Sequence, residues 1–184
     1  MKSSGLIGSL ILLTLIWVTT VTAVEQQPSM APEWDVSEWI NGKGVSVADL
    51  KGSVVIVDFF QLWCPGCNSF SIPLMKRWHG LFADEIDSGR LVLISLHTVF
   101  EGHDYQNPAR LRAFLKEKGI SHLVGIDRHK KGEETPQTMK IYRTRGTPEM
   151  AFIDKQGRLR FKHFGSFNTD LAEQFVRQLL AESP

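Results

Sequence analysis

Val54 to Phe60 reads VVIVDFF, seven residues that are apolar except at Asp58, and shortly after it come Cys64, Pro65, Gly66 and Cys67. A run so rich in β-branched and aromatic side chains is a strand buried on both faces, which requires neighbours on either edge and layers above and below. Leu91 to Leu96 (LVLISL) is a second run of the same kind. Between the two, Phe70, Leu74, Met75, Trp78, Leu81 and Phe82 recur at helical spacing. Strand, helix and strand at this separation make a right-handed parallel crossover, so the chain reads as α/β.

The rest of the chain extends this unit. A second helix is bounded by Asn107 as cap, Pro108 at its first position and Gly119 as its stop, with Leu111, Phe114 and Leu115 on one face. Leu123 to Ile126 reads as a short strand, Asp127 to Glu134 as a solvated loop and Gln137 to Tyr142 as a short helix. Met150 to Ile153 and Leu159 to Phe164 flank the turn Asp154-Lys155-Gln156-Gly157 and read as an antiparallel pair. In the second of these, Arg158, Arg160 and Lys162 alternate with Leu159, Phe161 and His163, a wet face expected to protect a sheet edge. Asn168 or Thr169 caps a last helix, whose stripe of Leu171, Phe175 and Leu179, flanked by Ala172, Val176 and Leu180, is expected to be core. The expected architecture is a mixed central sheet with helices on both faces, without a second domain.

Composition narrows the function. The chain has 184 residues with 21 Lys and Arg against 20 Asp and Glu, a formal net charge of +1, so no field favours nucleic acid. Its 2 cysteines are too few for a disulfide framework or a four-thiolate zinc site. Lys2 precedes an uncharged apolar stretch from Leu6 to Val18 that closes on Val21-Thr22-Ala23, the layout of a signal peptide over residues 1–23. An uncleaved membrane anchor is the alternative, since Gly5 to Val24 is 20 uncharged residues and long enough to span a bilayer. Either way the domain is expected to be periplasmic or otherwise exported, where cysteine pairs meet disulfide chemistry. Residues 24–33 are polar with two prolines and read as a linker, leaving 34–184 as the folded domain.

The chemistry sits where the first buried strand ends and the helix begins. Free backbone N–H groups and the positive end of the helix dipole stabilise a thiolate there, lowering the pKa of Cys64 below the ~8.5 of a free thiol. Cys64 is therefore the nucleophile. Cys67 lies about one helical turn further on, near enough to close or open a disulfide without large backbone movement, and is the resolving thiol. A disulfide across so short a loop removes little chain entropy, so its value lies in being made and broken. A copper-binding chaperone using Cys64, Cys67 and a histidine such as His163 is the alternative reading. A peroxidatic site is disfavoured, because the cysteine lies in C-x-x-C and Gln61, not Thr, stands three residues before it.

VVIVDFFQLWCPGC, followed about eighty residues later by Gly146-Thr147-Pro148-Glu149 and AFIDKQGRL, resembles the thioredoxin superfamily. Within it the similarity is to the exported TlpA-like thiol-disulfide oxidoreductases, including those of cytochrome c maturation. It runs from about Trp34 to Leu180. Asn41-Gly42-Lys43-Gly44-Val45-Ser46 with Asp49-Leu50-Lys51-Gly52 is similar to the family's lead into its first core strand. The helix and strand between Asn107 and Ile126 resemble its central α-β insertion. The resemblance implies a thioredoxin fold, no cofactor, and exchange with disulfide-bearing protein substrates, with an upstream thiol electron donor that is membrane-bound in one reading. It implies that Pro148 is a cis-proline beside the cysteines, with the Thr147 backbone exposed for an extended substrate segment. It places Asp58 where thioredoxins carry a buried acid that manages protons for the second cysteine, and burial would suit it to proton transfer near neutral pH. Trp63, adjacent to Cys64, is expected to shield the disulfide and report its reduction by fluorescence.

Three departures bear on partners. Phe70 occupies the position of the Glu that cytochrome-maturation members carry, which argues against that subgroup. Pro73 comes one residue later than the family's helix-kinking proline, so the active-site helix is expected to begin differently. Gln61-Leu62 replaces a small-residue stretch before Trp63, altering the surface beside the active site. His97 and His103 lie near the end of their strand from which an imidazole would reach Cys64.

Overall fold

The computed structural model describes residues 28–183. The expected signal segment lies outside the described residues. Six strands form one sheet in the order β1-β4-β3-β2-β5-β6. β2 (Val54–Phe60) is central because every one of its residues is buried. It runs parallel to β3 (Leu91–His97) and antiparallel to β5 (Glu149–Ile153). β4 (Leu123–Asp127) is parallel to β3, and β6 (Leu159–Phe164) closes the far edge against β5.

The helix after β2 opens at Pro65, passes through a π-helical turn at Cys67–Ser71 and continues as α1 (Ile72–Leu81), followed by α2 (Ala83–Asp87). In that turn the Ile72 N–H reaches back five residues to the Cys67 carbonyl. A π turn is how a helix absorbs one extra residue, which matches the late position of Pro73. α3 (Pro108–Lys118) has the expected ends: the Asn107 side chain accepts from Arg110 N, and Gly119 is left-handed at φ 63°. α4 (Gln137–Tyr142) and α5 (Thr169–Ala181) complete the layers, α5 being capped by Asn168.

One face of the sheet packs Val54, Ile56, Leu91, Leu93, Met150 and Phe152 against Leu74, Met75 and Trp78 of α1 and Ala172, Val176 and Leu179 of α5. Phe60, Cys64 and Cys67 continue this layer toward Leu111 and Leu115 of α3. On the opposite face Val55, Val57, Phe59 and Ile94 meet Trp34, Val47 and Tyr142.

Three details differ from expectation. β1 (Val36–Ile40) pairs antiparallel with β4, yet VSEWI has no clean alternation because a register shift falls between Val36 and Glu38. The buried stripe of α5 is Ala172, Val176 and Leu179, whereas Leu171 is 63% exposed; the helix is rotated by about one residue from the expected face. The basic residues of β6 are not simply solvated. Arg158 and Arg160 bind buried Asp154, and Lys162 pairs with buried Glu149. The outer edge of β6 meets the chain again: Ser29 O accepts from Leu159 N, and Ala31 N donates to Gly157 O.

Candidate active site

Cys64 and Cys67 are joined as a disulfide with their Cα atoms 5.2 Å apart, where β2 hands over to the helix. Cys67 is fully buried and Cys64 nearly so. The Cys67 N–H donates to Cys64 Sγ at 3.0 Å. That donor, fixed in the first turn, holds negative charge on Cys64 once the disulfide opens. Asn68 Nδ2 anchors the turn by donating to the carbonyls of Leu62 and Cys64.

The loop before β5 forms the opposite wall. The Thr147–Pro148 peptide bond is cis, and the Thr147 carbonyl oxygen lies 3.3 Å from Cys64 Sγ. Gly66 is where the helix meets this loop: a Cβ there would stand 2.9 Å from Pro148 Cδ, so glycine permits the close approach. Glu149, buried beside Pro148, accepts from Arg145 N at 2.7 Å and pairs with Lys162, which holds the loop to the sheet.

Asp58 lies beneath the helix, fully buried. Ser71 Oγ, one turn beyond Cys67, donates to Asp58 Oδ2 at 3.2 Å, while Oδ1 has no partner among the described residues. Burial raises its pKa to about 7, with the Ser71 hydrogen bond opposing. The site thus unites Cys64, Cys67, Thr147 and Pro148, with Asp58 one helical turn away through Ser71.

Neither expected histidine partners Cys64, whose sulfur has only backbone groups of Cys67 and Thr147 as polar neighbours among the described residues. His97 is buried against Phe60 and His103 stands against His129. Burial pushes His97 down to about 4, so it is neutral at physiological pH. His163 faces Ser166 O and packs against Phe161 and Phe167. Among the described residues no group of three or more His, Cys, Asp or Glu is placed to hold a metal ion, which leaves the copper reading without a third ligand.

Contacts that the sequence does not predict tie the neighbouring loop to the site, and Gln61 and Leu62, expected to alter the surface there, are both buried. Gln61, buried, donates from Nε2 to Thr98 O and accepts from Trp63 Nε1 at 3.0 Å. Buried Gln106 accepts from Leu62 N at 2.9 Å and donates to Glu101 O. Trp63, 44% exposed, stacks on Tyr105 with ring centres 5.7 Å apart. The only sequence signal was that a long polar side chain directly following a buried strand must find partners.

The chain matches the AhpC/TSA family over residues 29–162. The chain belongs to this family. Within it the chain groups with the TlpA-like oxidoreductases of the thioredoxin superfamily. A solved thioredoxin-like superfamily protein, SPOA0173, is 37% identical with a TM-score of 0.79, over 84% of this chain and 98% of that one. A thiol-disulfide isomerase from Corynebacterium glutamicum is also 37% identical, with a TM-score of 0.78 over 85% and 98% of the two chains. Protein DipZ of Mycobacterium bovis is 30% identical over 151 residues, 80% of this chain. This AhpC/TSA chain spans 20% of the length of DipZ.

Proposed function

We propose that this protein is an extracytoplasmic thiol-disulfide oxidoreductase that exchanges disulfides with protein substrates through Cys64 and Cys67. The observation that carries the reading is the Cys64 sulfur held between the Cys67 N–H at 3.0 Å and the Thr147 carbonyl at 3.3 Å, at the mouth of a cleft. In the reducing direction the Cys64 thiolate attacks one sulfur of a substrate disulfide. That S–S bond breaks, a mixed disulfide forms and one substrate thiolate leaves. Cys67, deprotonated, then attacks Cys64 Sγ, releasing the second substrate thiolate and leaving Cys64–Cys67 oxidised. Two electrons have passed to the substrate, and a dithiol donor returns them. Asp58 is the group that takes the Cys67 proton, directly or through one water, because its carboxylate is buried, singly hydrogen-bonded and poised near neutrality. Trp63 and the Thr147–Pro148 backbone receive the substrate segment. Export rests on the signal pattern of residues 1–23, with membrane anchoring through that segment as the variant form.

The test is a pair of variants. Cys64→Ser is expected to abolish reduction of insulin disulfides, and Cys67→Ser to accumulate mixed disulfides resolvable by non-reducing electrophoresis. Wild-type turnover in both variants would overturn the reading. Equimolar copper held by both thiolates of anaerobically reduced protein would favour a metal carrier instead.

A further inference from the structure

We infer that the cleft over Cys64 selects disulfide-bearing substrates that carry a Lys or Arg within a residue or two of the attacked cysteine. This rests on the exchange activity proposed above and adds the class of substrate. The open cleft has a volume of about 470 Å³ around Cys64 and Pro65, between Trp63, Phe100 and Thr147, and among the described residues the only charged one lining it is Glu101. Glu101 is exposed and forms no ion pair among the described residues. Neither Trp63 nor Phe100 carries a cation over its ring among those residues, whereas the neighbouring Tyr105 already has the Arg110 guanidinium 4.1 Å from its centre. An unpaired carboxylate beside two aromatic side chains without cations is a site for a positive side chain. It offers charge attraction together with the Phe100 ring and the Trp63 face not stacked on Tyr105, and it repels an acidic segment.

The wall is also held in place before a substrate arrives. Gln61 fixes the Trp63 indole edge and the Thr98 carbonyl, and Gln106 ties Leu62 N to the Glu101 carbonyl itself. The Trp63 indole packs against Gly102, left-handed at φ 62°, where a Cβ would fall 1.9 Å from its Cη2. Recognition by such a surface requires little further ordering.

The experiment compares kcat/KM of the full protein for three peptide disulfides that differ only in having Lys, Gln or Glu beside the first cysteine, at low and high salt. The Lys peptide is expected to exceed the Glu peptide by about five- to tenfold at low salt. The ratio should fall toward one in Glu101→Gln, invert in Glu101→Lys, and shrink with salt in the wild type. Glu134→Gln removes the same charge from the exposed loop before α4 and should keep the ratio. A ratio near one in the wild type, a ratio unchanged by Glu101→Gln, or an equal change in Glu134→Gln overturns the inference. Reduction of hydroxyethyl disulfide by the wild type separates the two readings. If it proceeds while the ratio is one, only the substrate class is wrong; if it is absent, the exchange activity fails and the inference falls with it.

Discussion

Asp58 is costly where it stands. Both of its neighbours in sequence are fully buried apolar residues, its one donor is a serine hydroxyl, and burial holds its pKa near 7. A residue in that position either does something or is replaced by a neutral isostere at a gain in stability. Asp58→Asn is therefore expected to slow the resolving step, most strongly near and above neutral pH, where the wild-type carboxylate is ionised and able to accept a proton. The same variant should raise the thermal midpoint of the oxidised protein at pH 8, on the order of 2–4 kcal/mol of stability. Single-turnover reduction of a mixed disulfide across pH checks the first outcome, and calorimetry the second. An unchanged rate profile would show that Asp58 only fills the strand. Asp58 was legible in the sequence because a lone acid interrupts an apolar run. The role of Gln61 was not, since it depends on a carbonyl at Thr98 and an indole at Trp63 that only the folded chain brings to it.

At the scale of elements, the strands and helices that bury a full face were readable: β2, β3, α3 and the β5–β6 pair follow from apolar runs, caps and turn residues. β1 escaped because an edge strand with a register shift has no period to detect. The buried face of α5 differs from the expected one because Leu171 and Phe175 are as apolar as the residues that are buried, so pattern alone cannot orient the helix. The connection from β3 to α3 carries no periodic signal at all, yet it is fastened to the active-site turn by Gln106. Gln106→Ala leaves the buried Leu62 N–H without an acceptor, which costs about 1–3 kcal/mol. For a domain of this size the thermal midpoint should fall by roughly 2–4 °C per kcal/mol. Hydrogen exchange at Leu62 and through residues 99–106 should accelerate by local opening, by more than the rise that the lower global stability produces in β2. Protection at Leu62 equal to the wild type would show that the clamp contributes nothing.

Over the whole molecule, buried titratable groups act in opposing pairs. Burial pushes His97 and His122 down to about 4 and Asp58 up to about 7, and it raises Asp127 as well. Asp127 keeps its place by accepting from Thr138 N and Met139 N at the start of α4. Between about pH 4.5 and 6 an unfolded chain would protonate the two histidines and ionise Asp58, while the folded protein does the reverse. The histidines bind more protons in the unfolded state, so their contribution to stability falls as pH falls from 6.5 toward 4. Asp58 binds more protons in the folded state, so its contribution falls as pH rises through the same window, and the raised pKa of Asp127 acts in the same direction. Each group alone gives a slope of about 1.4 kcal/mol per pH unit where its two states differ by a full proton. The opposing slopes offset in part, and the oxidised wild-type protein is expected to gain stability with pH there less steeply than the two histidines alone would give. Asp49, Glu133 and Asp154 are held below their ordinary pKa, so they titrate beneath this window. Single substitutions should unmask the balance. Asp58→Asn removes one carboxyl, so stability should rise with pH more steeply than in the wild type, by about 1.4 kcal/mol per pH unit. His97→Gln removes one histidine and should tilt the slope by a similar amount the other way. Urea unfolding of the three oxidised proteins at pH 4.5, 5.25 and 6 measures this directly, and parallel slopes would refute the offsetting of buried histidines by buried carboxyls.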